Sequence, residues 1–214
     1  MKRLLTVLVL AFIMIGIYGQ RDSINYKLTD SLKCAPEFKI SIAPTIGTVL
    51  YYRFVAGGPG RKFKPGFSAS FDYSFRSDNK INFGFGLNYQ FAQVEYTPNM
   101  DSGDFTGQTD NVILISFNFA TIYNLKKNFY LSLNPLINLQ LNYRSDLMTK
   151  KQTGLGLSFS VGKKFFLNNN IQLNIEPKLW INNIVPFNPD GWLKHRLTAL
   201  GLNFGFVFGQ NLSH

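Results

Sequence analysis

The feature of this sequence that most constrains its fold is a two-residue alternation between large apolar side chains and small or polar ones. In "NFYLSLNPLINLQLNYR", one set of alternate residues is apolar throughout its middle, and the other set is mostly polar. A period of two indicates a β-strand, because successive side chains of a strand point to opposite faces. The alternation recurs in eight segments: Phe38–Arg53, Gly66–Arg76, Ile81–Tyr96, Val112–Leu125, Asn128–Arg144, Gly154–Leu167, Ile171–Asn182 and Leu197–Gly209.

The connections between these segments alternate in length without exception. Short turns are predicted at Ser77–Lys80, Lys126–Asn128 and Asn168–Asn170. Long loops are predicted at Val55–Pro65, Thr97–Asn111, Ser145–Thr153 and Asn183–Arg196. Short turns at one end and long loops at the other are typical of outer-membrane barrels, and a tilted strand of about 9–11 residues crosses the hydrocarbon.

The composition of the two faces indicates which one is outside. A soluble lipocalin-like carrier would place the Phe and Leu set inside and would carry many charges outside, whereas here the second face is rich in Gly, Ser, Asn and Gln. Small residues suit the crowded interior of an eight-stranded barrel, and an apolar face suits lipid. We therefore predict an all-β, eight-stranded, antiparallel, up-and-down transmembrane β-barrel. Aromatic residues near the segment ends are expected to form interfacial girdles: Tyr51, Tyr52, Tyr73, Phe75, Tyr96, Tyr123, Phe129, Tyr130, Tyr143, Phe165 and Phe166.

The N-terminus has the order of a secretory signal peptide, with Lys2 and Arg3 before an apolar run that is short for a membrane-spanning helix. We expect residues 1–19 to be this signal, residues 20–36 a periplasmic segment, residues 37–210 the barrel and residues 211–214 a tail. Export by a cleaved signal predicts an integral protein of the bacterial outer membrane. Cys34 is the only cysteine, so an internal disulfide is excluded.

Three prolines interrupt the predicted strands. Pro44, Pro135 and Pro177 all lie in odd-numbered segments and belong to the apolar set. A proline inside a strand removes a ladder hydrogen bond. We expect β-bulges at these positions.

Six charged residues fall on the inward set and are expected to pair in a lumen charge network, because an unpaired buried charge is costly. They are Lys39, Asp72, Arg76, Arg144, Glu176 and Lys178. A proton or ion path is the alternative, although eight strands leave no open channel.

The long loops carry basic residues that could contact the phosphates of lipopolysaccharide. They are Arg61, Lys62, Lys64, Lys150, Lys151, Lys194 and Arg196; plain solvation is the alternative. The loop after Thr97 is acidic, with Asp101, Asp104 and Asp110. The net charge is +10, but the sequence has no dense basic run, so a nucleic-acid partner is not expected.

Enzymatic chemistry has little support in the residues. His195 would need a nucleophile in reach, residue 197 is Leu, and only loop residues such as Ser102 or Ser145 could supply one. His195 and His214 are the only histidines, which makes a metal site improbable, and no cofactor is expected. We expect a non-enzymatic protein with a structural or partner-binding role. An outer-membrane lipid-modifying enzyme, a soluble carrier and an accessory component of a secretion system remain alternatives.

The strand centres "IAPTIG", "LNPLIN" and "IEPKLW" and the closing "GLNFGFVFG" support a resemblance. From Phe38 to Gly209 the chain resembles small eight-stranded outer-membrane barrels of the OmpA/OmpX type, and more closely the outer membrane protein β-barrel domains of Bacteroidota, including PorT-like proteins. The resemblance implies the fold, the outer membrane, and recognition of Phe204, Phe206 and Phe208 by the assembly machinery. The outer-membrane address in turn predicts contact with its lipid, and the basic loop residues predict contact with lipopolysaccharide. It implies no specific activity, and an envelope protein partner is left open.

Overall fold

The strands of the chain form one closed antiparallel barrel. The computed structural model describes residues 36–51, 60–76, 80–97, 107–144, 146–147, 149–187 and 195–209. Its strands are β1 (Pro36–Tyr51), β2 (Gly60–Lys62), β3 (Lys64–Arg76), β4 (Ile81–Thr97), β5 (Gln108–Asn124), β6 (Phe129–Gln140), β7 (Gly154–Phe166), β8 (Ile171–Pro186) and β9 (His195–Gly209). Successive strands pair antiparallel, and β9 pairs with β1 to close the sheet. After Phe63, β3 continues β2, and both pair with β4. The two together form one strand of the barrel, which therefore has eight strands.

Closure removes the free edges of the sheet. In an open sheet the edge strands would expose unpaired N–H and C=O groups, which hydrocarbon cannot satisfy. Among the described residues, no helix is long and apolar enough to cross a membrane. The predicted signal peptide, the N-terminal segment up to residue 35, and residues 210–214 lie outside the described residues.

The two faces of the barrel have the polarity that the alternation predicts. On β1, Ile42 is 58% exposed and its neighbour Ser41 only 4%. On β6, Leu133 and Leu139 point outward, whereas Asn134 and Asn138 are buried in the lumen. The large apolar set is therefore outside, as in a membrane barrel. A soluble carrier would have the opposite arrangement, so that alternative is wrong for the fold.

Several strand ends differ from the predicted bounds. The predicted loop Val55–Pro65 contains β2, β5 begins four residues early at Gln108, and β8 continues to Pro186. Conversely, β6 ends at Gln140 and not at Arg144. The side chain of Asn142 takes over the pairing there, because its Oδ1 accepts from the Ile113 amide at 2.9 Å and its Nδ2 donates to the Asn111 carbonyl at 2.7 Å.

The prolines do not form the predicted bulges. At Pro44 the ladder between β1 and β9 is interrupted, yet the register resumes unchanged, with Ile42 opposite Phe204 and Thr45 opposite Gly201. The β5–β6 and β7–β8 ladders are interrupted in the same way at Pro135 and Pro177. Each proline thus gives up pairing on one side and remains paired with its other neighbour. The bulge prediction was wrong because the two-residue gap already accommodates the missing N–H.

Most described members of the aromatic girdles face outward, including Phe75, Tyr123 and Phe129. Tyr96 and Tyr130 instead point into the lumen, where each is almost fully buried. Their place in the predicted girdles was wrong, since both lie on the inward parity of their strands. Tyr52 and the side chain of Tyr51 lie outside the described residues.

The orientation of the faces predicts how a charge at one depth affects stability. We expect Ile137→Arg to cost about 2–4 kcal/mol of unfolding free energy in lipid vesicles, because Ile137 faces outward near the middle of the apolar band. Leu141→Arg is the matched control; Leu141 is exposed just past the end of β6, where a charge costs about 0–1 kcal/mol. Denaturant titration of the two variants measures both values, and equal costs would contradict the assigned membrane position.

Candidate functional site

Four of the predicted network residues meet in one half of the lumen. We call the end of the barrel with the turns at residues 77–80, 125–128 and 167–170 the turn end, and the opposite end the loop end. Lys39 on β1 forms an ion pair with Glu176 on β8, and both side chains are largely buried. Asp72 on β3 and Lys178 on β8 also face this half of the lumen. A cavity of about 40 Å³, lined by all four, lies here and has room for only a few waters.

Glu176 is the centre of the network and connects four other strands. Its Oε1 accepts from the Lys39 ammonium and from the Asn203 amide. Its Oε2 accepts from the Tyr130 hydroxyl and from the Ser160 hydroxyl, both at 2.8 Å. Burying a carboxylate is tolerable only when a cation and several donors compensate for the lost water, and Glu176 has both.

Glycines give the long side chains of the network room to cross a neighbouring strand. Tyr130 lies opposite Gly162 on β7, and a Cβ on Gly162 would collide with the Tyr130 ring. The ring crosses the bare glycine to reach Glu176 on the next strand. The inward glycines therefore relieve crowding at specific places.

Two more side chains use the same arrangement. Asp72 on β3 lies opposite Gly86 on β4 and crosses it to accept a hydrogen bond from Asn118 on β5 at 2.8 Å. Lys39 passes over Gly205 on β9, where an added Cβ would meet the lysine side chain. Each polar side chain reaches a strand two positions away because the strand between has no side chain at that level.

The middle of the lumen is filled by an apolar layer. Trp180 packs with Ala43, Leu136 and Ala199, and all four are buried. The Lys178 ammonium lies 5.3 Å from the Trp180 ring. This cation–π contact joins the apolar layer to the charged network.

Of the remaining two predicted network residues, only Arg144 has a described side chain, and it does not join the network. Arg144 lies beyond the end of β6, is exposed, and makes only a loose ion pair with Asp146 at 3.7 Å. Its assignment to the lumen was wrong, because the strand parity on which the prediction relied ends at Gln140. Arg76 is the last residue of β3, and its side chain lies outside the described set.

The loop end of the lumen is apolar, which the sequence analysis missed. A cluster of seven buried residues from β1, β4, β5 and β9 fills it: Val49, Ala92, Val94, Tyr96, Val112, Leu114 and Leu197. All of them have inward parity. The sequence signal for this cluster was that the inward residues of these four strands change from polar to apolar toward the loop end.

A segment of the chain folds across the mouth of the barrel above this cluster. We call residues 149–153 the mouth strap. Thr149 and Gln152 are fully buried in it. The Thr149 amide donates to Asp110 Oδ2 at 2.6 Å, and its hydroxyl is 3.0 Å from the Tyr96 hydroxyl. Asp110, predicted to be part of an acidic loop, is therefore a buried residue of β5 that holds the strap.

Gln152 fixes the strap on the opposite side of the mouth. Its backbone amide donates to Gln140 Oε1 at 2.7 Å, and its side-chain Oε1 accepts from the Leu197 amide at 2.8 Å. The register shift of the β7–β8 ladder lies nearby, and Asn183 has a left-handed conformation there. Asn183 Nδ2 donates to the carbonyls of Lys151 and His195. The β-bulge at this shift therefore directs the Asn183 side-chain amide toward the strap.

His195 lies at the rim, beyond the outward apolar residues of β9 that begin at Leu200. Its Nδ1 accepts from the Lys150 amide at 3.2 Å. Burial and the charges of Arg61 and Lys150 lower its pKa to about 4, against the opposing effect of Asp110. The neutral imidazole thus stabilises the fold above pH 6.5, and this contribution is lost as the pH falls toward 4.

The predicted basic loop residues have different partners in the structure. Lys62 and Lys64 both pair with Glu95, and the hydrogen bond from Lys64 is the main reason that the pKa of Glu95 is lowered. Arg61 turns inward and donates to the Val49 carbonyl at 2.8 Å.

The other described members of the set lie in the mouth strap and on β9. Lys150 is exposed, and Lys151 lies 5.9 Å from the Tyr143 ring. Arg196 lies on β9 near the Ile184 carbonyl, and Lys194 is outside the described residues. Within the described ranges, no group of three or more His, Cys, Asp or Glu residues is placed to hold a metal ion.

The buried pair predicts a measurable asymmetry. We expect Lys39→Met to cost about 3–5 kcal/mol of unfolding free energy, because it leaves Glu176 buried without its ion-pair partner. Adding Glu176→Gln should recover part of that loss, since no carboxylate is then left unpaired. Arg144→Gln is the control and should cost no more than about 1 kcal/mol, because the Arg144–Asp146 pair is exposed. Denaturant titration in vesicles would contradict the network if Lys39→Met and Arg144→Gln cost the same.

No protein-family model and no curated protein matches this chain. Among solved structures, Neisserial surface protein A is 15% identical with a TM-score of 0.46, covering 81% of this chain and 96% of its own. Outer membrane protein AlkL in DMPC lipid bilayers is 14% identical with a TM-score of 0.48, covering 89% of this chain and 97% of its own.

OprG from Pseudomonas aeruginosa is also 14% identical with a TM-score of 0.48, covering 81% of this chain and 96% of its own. Since all three scores lie below 0.5, the assignment depends on the closed ladder, the apolar exterior and the polar network in the lumen. The finer resemblance to Bacteroidota and PorT-like domains stays a prediction. On its own geometry, the chain is a small eight-stranded transmembrane β-barrel of the outer-membrane type.

Proposed function

We propose that the protein is a non-enzymatic integral protein of the bacterial outer membrane, with a closed lumen and a structural or partner-binding role. The observation that carries this proposal is that the lumen is filled along its whole length. The Glu176 network occupies the turn-end half, the Trp180 layer the middle, and the apolar cluster with the mouth strap the loop end. A filled lumen supports a role exerted from the rims of the barrel.

The outer-membrane location is supported by the apolar exterior and by the strand-only span. On β9, Phe204, Phe206 and Phe208 alternate outward, in keeping with the proposed recognition by the assembly machinery. Export by a cleaved signal at residues 1–19 remains part of the proposal, as those residues lie outside the described range.

The loop-end rim is the proposed surface for partners. Contact with lipopolysaccharide phosphates would depend mainly on Lys150 and Lys151, because Lys62 and Lys64 already pair with Glu95 and Arg61 binds a carbonyl. An envelope protein, including a component of a secretion system, is an open alternative partner. Crosslinking in intact outer membranes is the experiment that would identify it.

Lipid-modifying chemistry is the weaker alternative. His195 faces the strap and the lumen. Its Nδ1 accepts from the Lys150 backbone amide, and its carbonyl accepts from the side-chain amides of Gln152 and Asn183. Leu197, two residues later, is buried in the apolar cluster. Ser102 and Ser145, the hydroxyls that could serve as nucleophiles, lie outside the described residues.

The filled lumen predicts an electrical property. We expect the purified chain, folded and reconstituted in a planar bilayer, to give no steady porin-like current, because side chains block the lumen at three levels. A general porin in the same bilayer is the positive control. A steady ohmic current that scales with protein would contradict the closed lumen.

The mass of lipid A in cells distinguishes a lipid-modifying enzyme from a structural protein. Lipid A from cells with and without the protein should have the same mass. A change in acyl count that disappears in the His195→Ala variant would overturn the non-enzymatic proposal.

A further inference from the structure

Four lysines form an arc along one side of the turn end, and a fifth, Lys164, lies beside them. Lys80 precedes β4, and its carbonyl accepts from the Asn124 amide at the end of β5. Lys126 and Lys127 form the turn between β5 and β6, and Lys163 on β7 lies opposite Phe129, the first residue of β6. Lys164 follows on the lumen side. We call Lys80, Lys126, Lys127 and Lys163 the turn-end basic arc.

The arc is one-sided and uncompensated among the described residues. None of the four ion pairs in the described part of the chain involves Lys80, Lys126, Lys127 or Lys163. The remaining short turn, residues 167–170, carries three asparagines and no charge. In the turn at residues 77–80 the sequence places Asp78 beside Lys80, so the excess of positive charge lies at Lys126, Lys127 and Lys163, on the β5–β7 side of this rim.

The arc lies at the depth of an aromatic belt. Tyr123, Phe129 and Phe165 are outward-facing near the turn-end limits of β5, β6 and β7. The Lys163 ammonium lies 5.3 Å from the ring centres of both Phe129 and Phe165, on the lipid-facing side of the barrel. Aromatic belts mark the level of lipid headgroups, and a lysine stem can lie along them with its ammonium at the phosphates.

The turn itself supports a role for its lysine. Lys127 and Asn128 both have a left-handed backbone, with φ of 61° and 64°. Gly, Asn or Asp is the usual residue at the first of these positions, since a longer side chain is strained there. A lysine held in this conformation is a local strain of the kind that clusters at functional positions.

We propose that the turn-end basic arc binds the phosphate headgroup of an anionic glycerophospholipid in the leaflet at the turn end. This inference rests on the proposed function, because it needs the barrel to span a bilayer. Lys126 and Lys127 supply charge from the turn, and Lys163 supplies charge from the lipid-facing side beside Phe129. The belt positions the acyl chains against the same strands, so headgroup and tail are held at adjoining surfaces.

The test uses the full chain folded in phosphatidylcholine vesicles that contain a photoactivatable lipid. Phosphatidylglycerol and phosphatidylcholine probes with identical acyl chains are compared, and crosslinked peptides are mapped by mass spectrometry. We expect the phosphatidylglycerol probe to label peptides around residues 125–129 and 163–166 above the phosphatidylcholine probe by at least roughly fivefold, the effect of about one lysine near an anionic headgroup.

The triple variant Lys126→Gln, Lys127→Gln, Lys163→Gln should bring that ratio close to one. The charge-retaining variant Lys126→Arg, Lys127→Arg, Lys163→Arg should keep it, which separates charge from a folding defect. A loop-end triple, Lys62→Gln, Lys150→Gln, Lys151→Gln, is the matched control and should leave the turn-end ratio unchanged.

A ratio near one in the folded wild-type barrel, or a ratio that the glutamine variant retains, would overturn the lipid site. If the wild-type ratio in vesicles is one, and in intact outer membranes the glutamine variant loses a crosslink to an envelope protein, the arc binds a protein and the lipid proposal is wrong. Heat-dependent gel mobility reports folding separately. A chain that never inserts into vesicles overturns the proposed function and this inference together, whereas a folded barrel with a ratio of one overturns only the inference.

Discussion

The closing pairing between β9 and β1 is the constraint on which the rest of the molecule depends. Hydrocarbon offers no hydrogen bonds, so a strand protein can span it only if each strand is paired on both sides. A barrel of eight strands has an interior just wide enough for side chains to fill, so the lumen has little room for anything else. The small inward residues, the glycines beneath long side chains and the pairing of buried Glu176 with Lys39 follow from that narrow lumen.

The lumen consequently acts as the core of the protein, with two different halves. In the turn-end half, Glu176 ties β8 to β1, β6, β7 and β9 through one carboxylate. In the loop-end half, apolar side chains pack and the mouth strap covers them. Since the outer face meets lipid and the inside is packed, the rims are where the protein can be recognised. The turn-end basic arc and the loop-end surface are therefore the places where a function is to be sought.

Much of the fold was predictable because period two records the environment of each strand directly. The eight strands, their direction and the inward or outward parity of Lys39, Asp72, Glu176 and Lys178 follow from it. The predictions were wrong where a strand, and with it the two-residue parity, ends. They were also wrong where hydrogen bonding between neighbouring strands determines the local structure. Arg144 lies past a strand end that the Asn142 side chain sets, and the gaps at Pro44, Pro135 and Pro177 depend on which neighbour loses its bond. The mouth strap was invisible, because its residues carry no period and its partners come from five strands.

The measurement that most directly tests the account is the contact between lipid tails and native leucine methyl groups in the folded barrel. Leu200 and Leu202 are 51% and 42% exposed on the outer face, whereas Leu114, Leu136 and Leu197 are at most 2% exposed in the lumen. Nuclear Overhauser effects between acyl-chain protons and leucine methyls report this without any substitution. The account predicts strong effects at Leu200 and Leu202 and none at the three lumen leucines. Effects at the lumen leucines alone would mean that the two faces are reversed, and would contradict the membrane-spanning barrel.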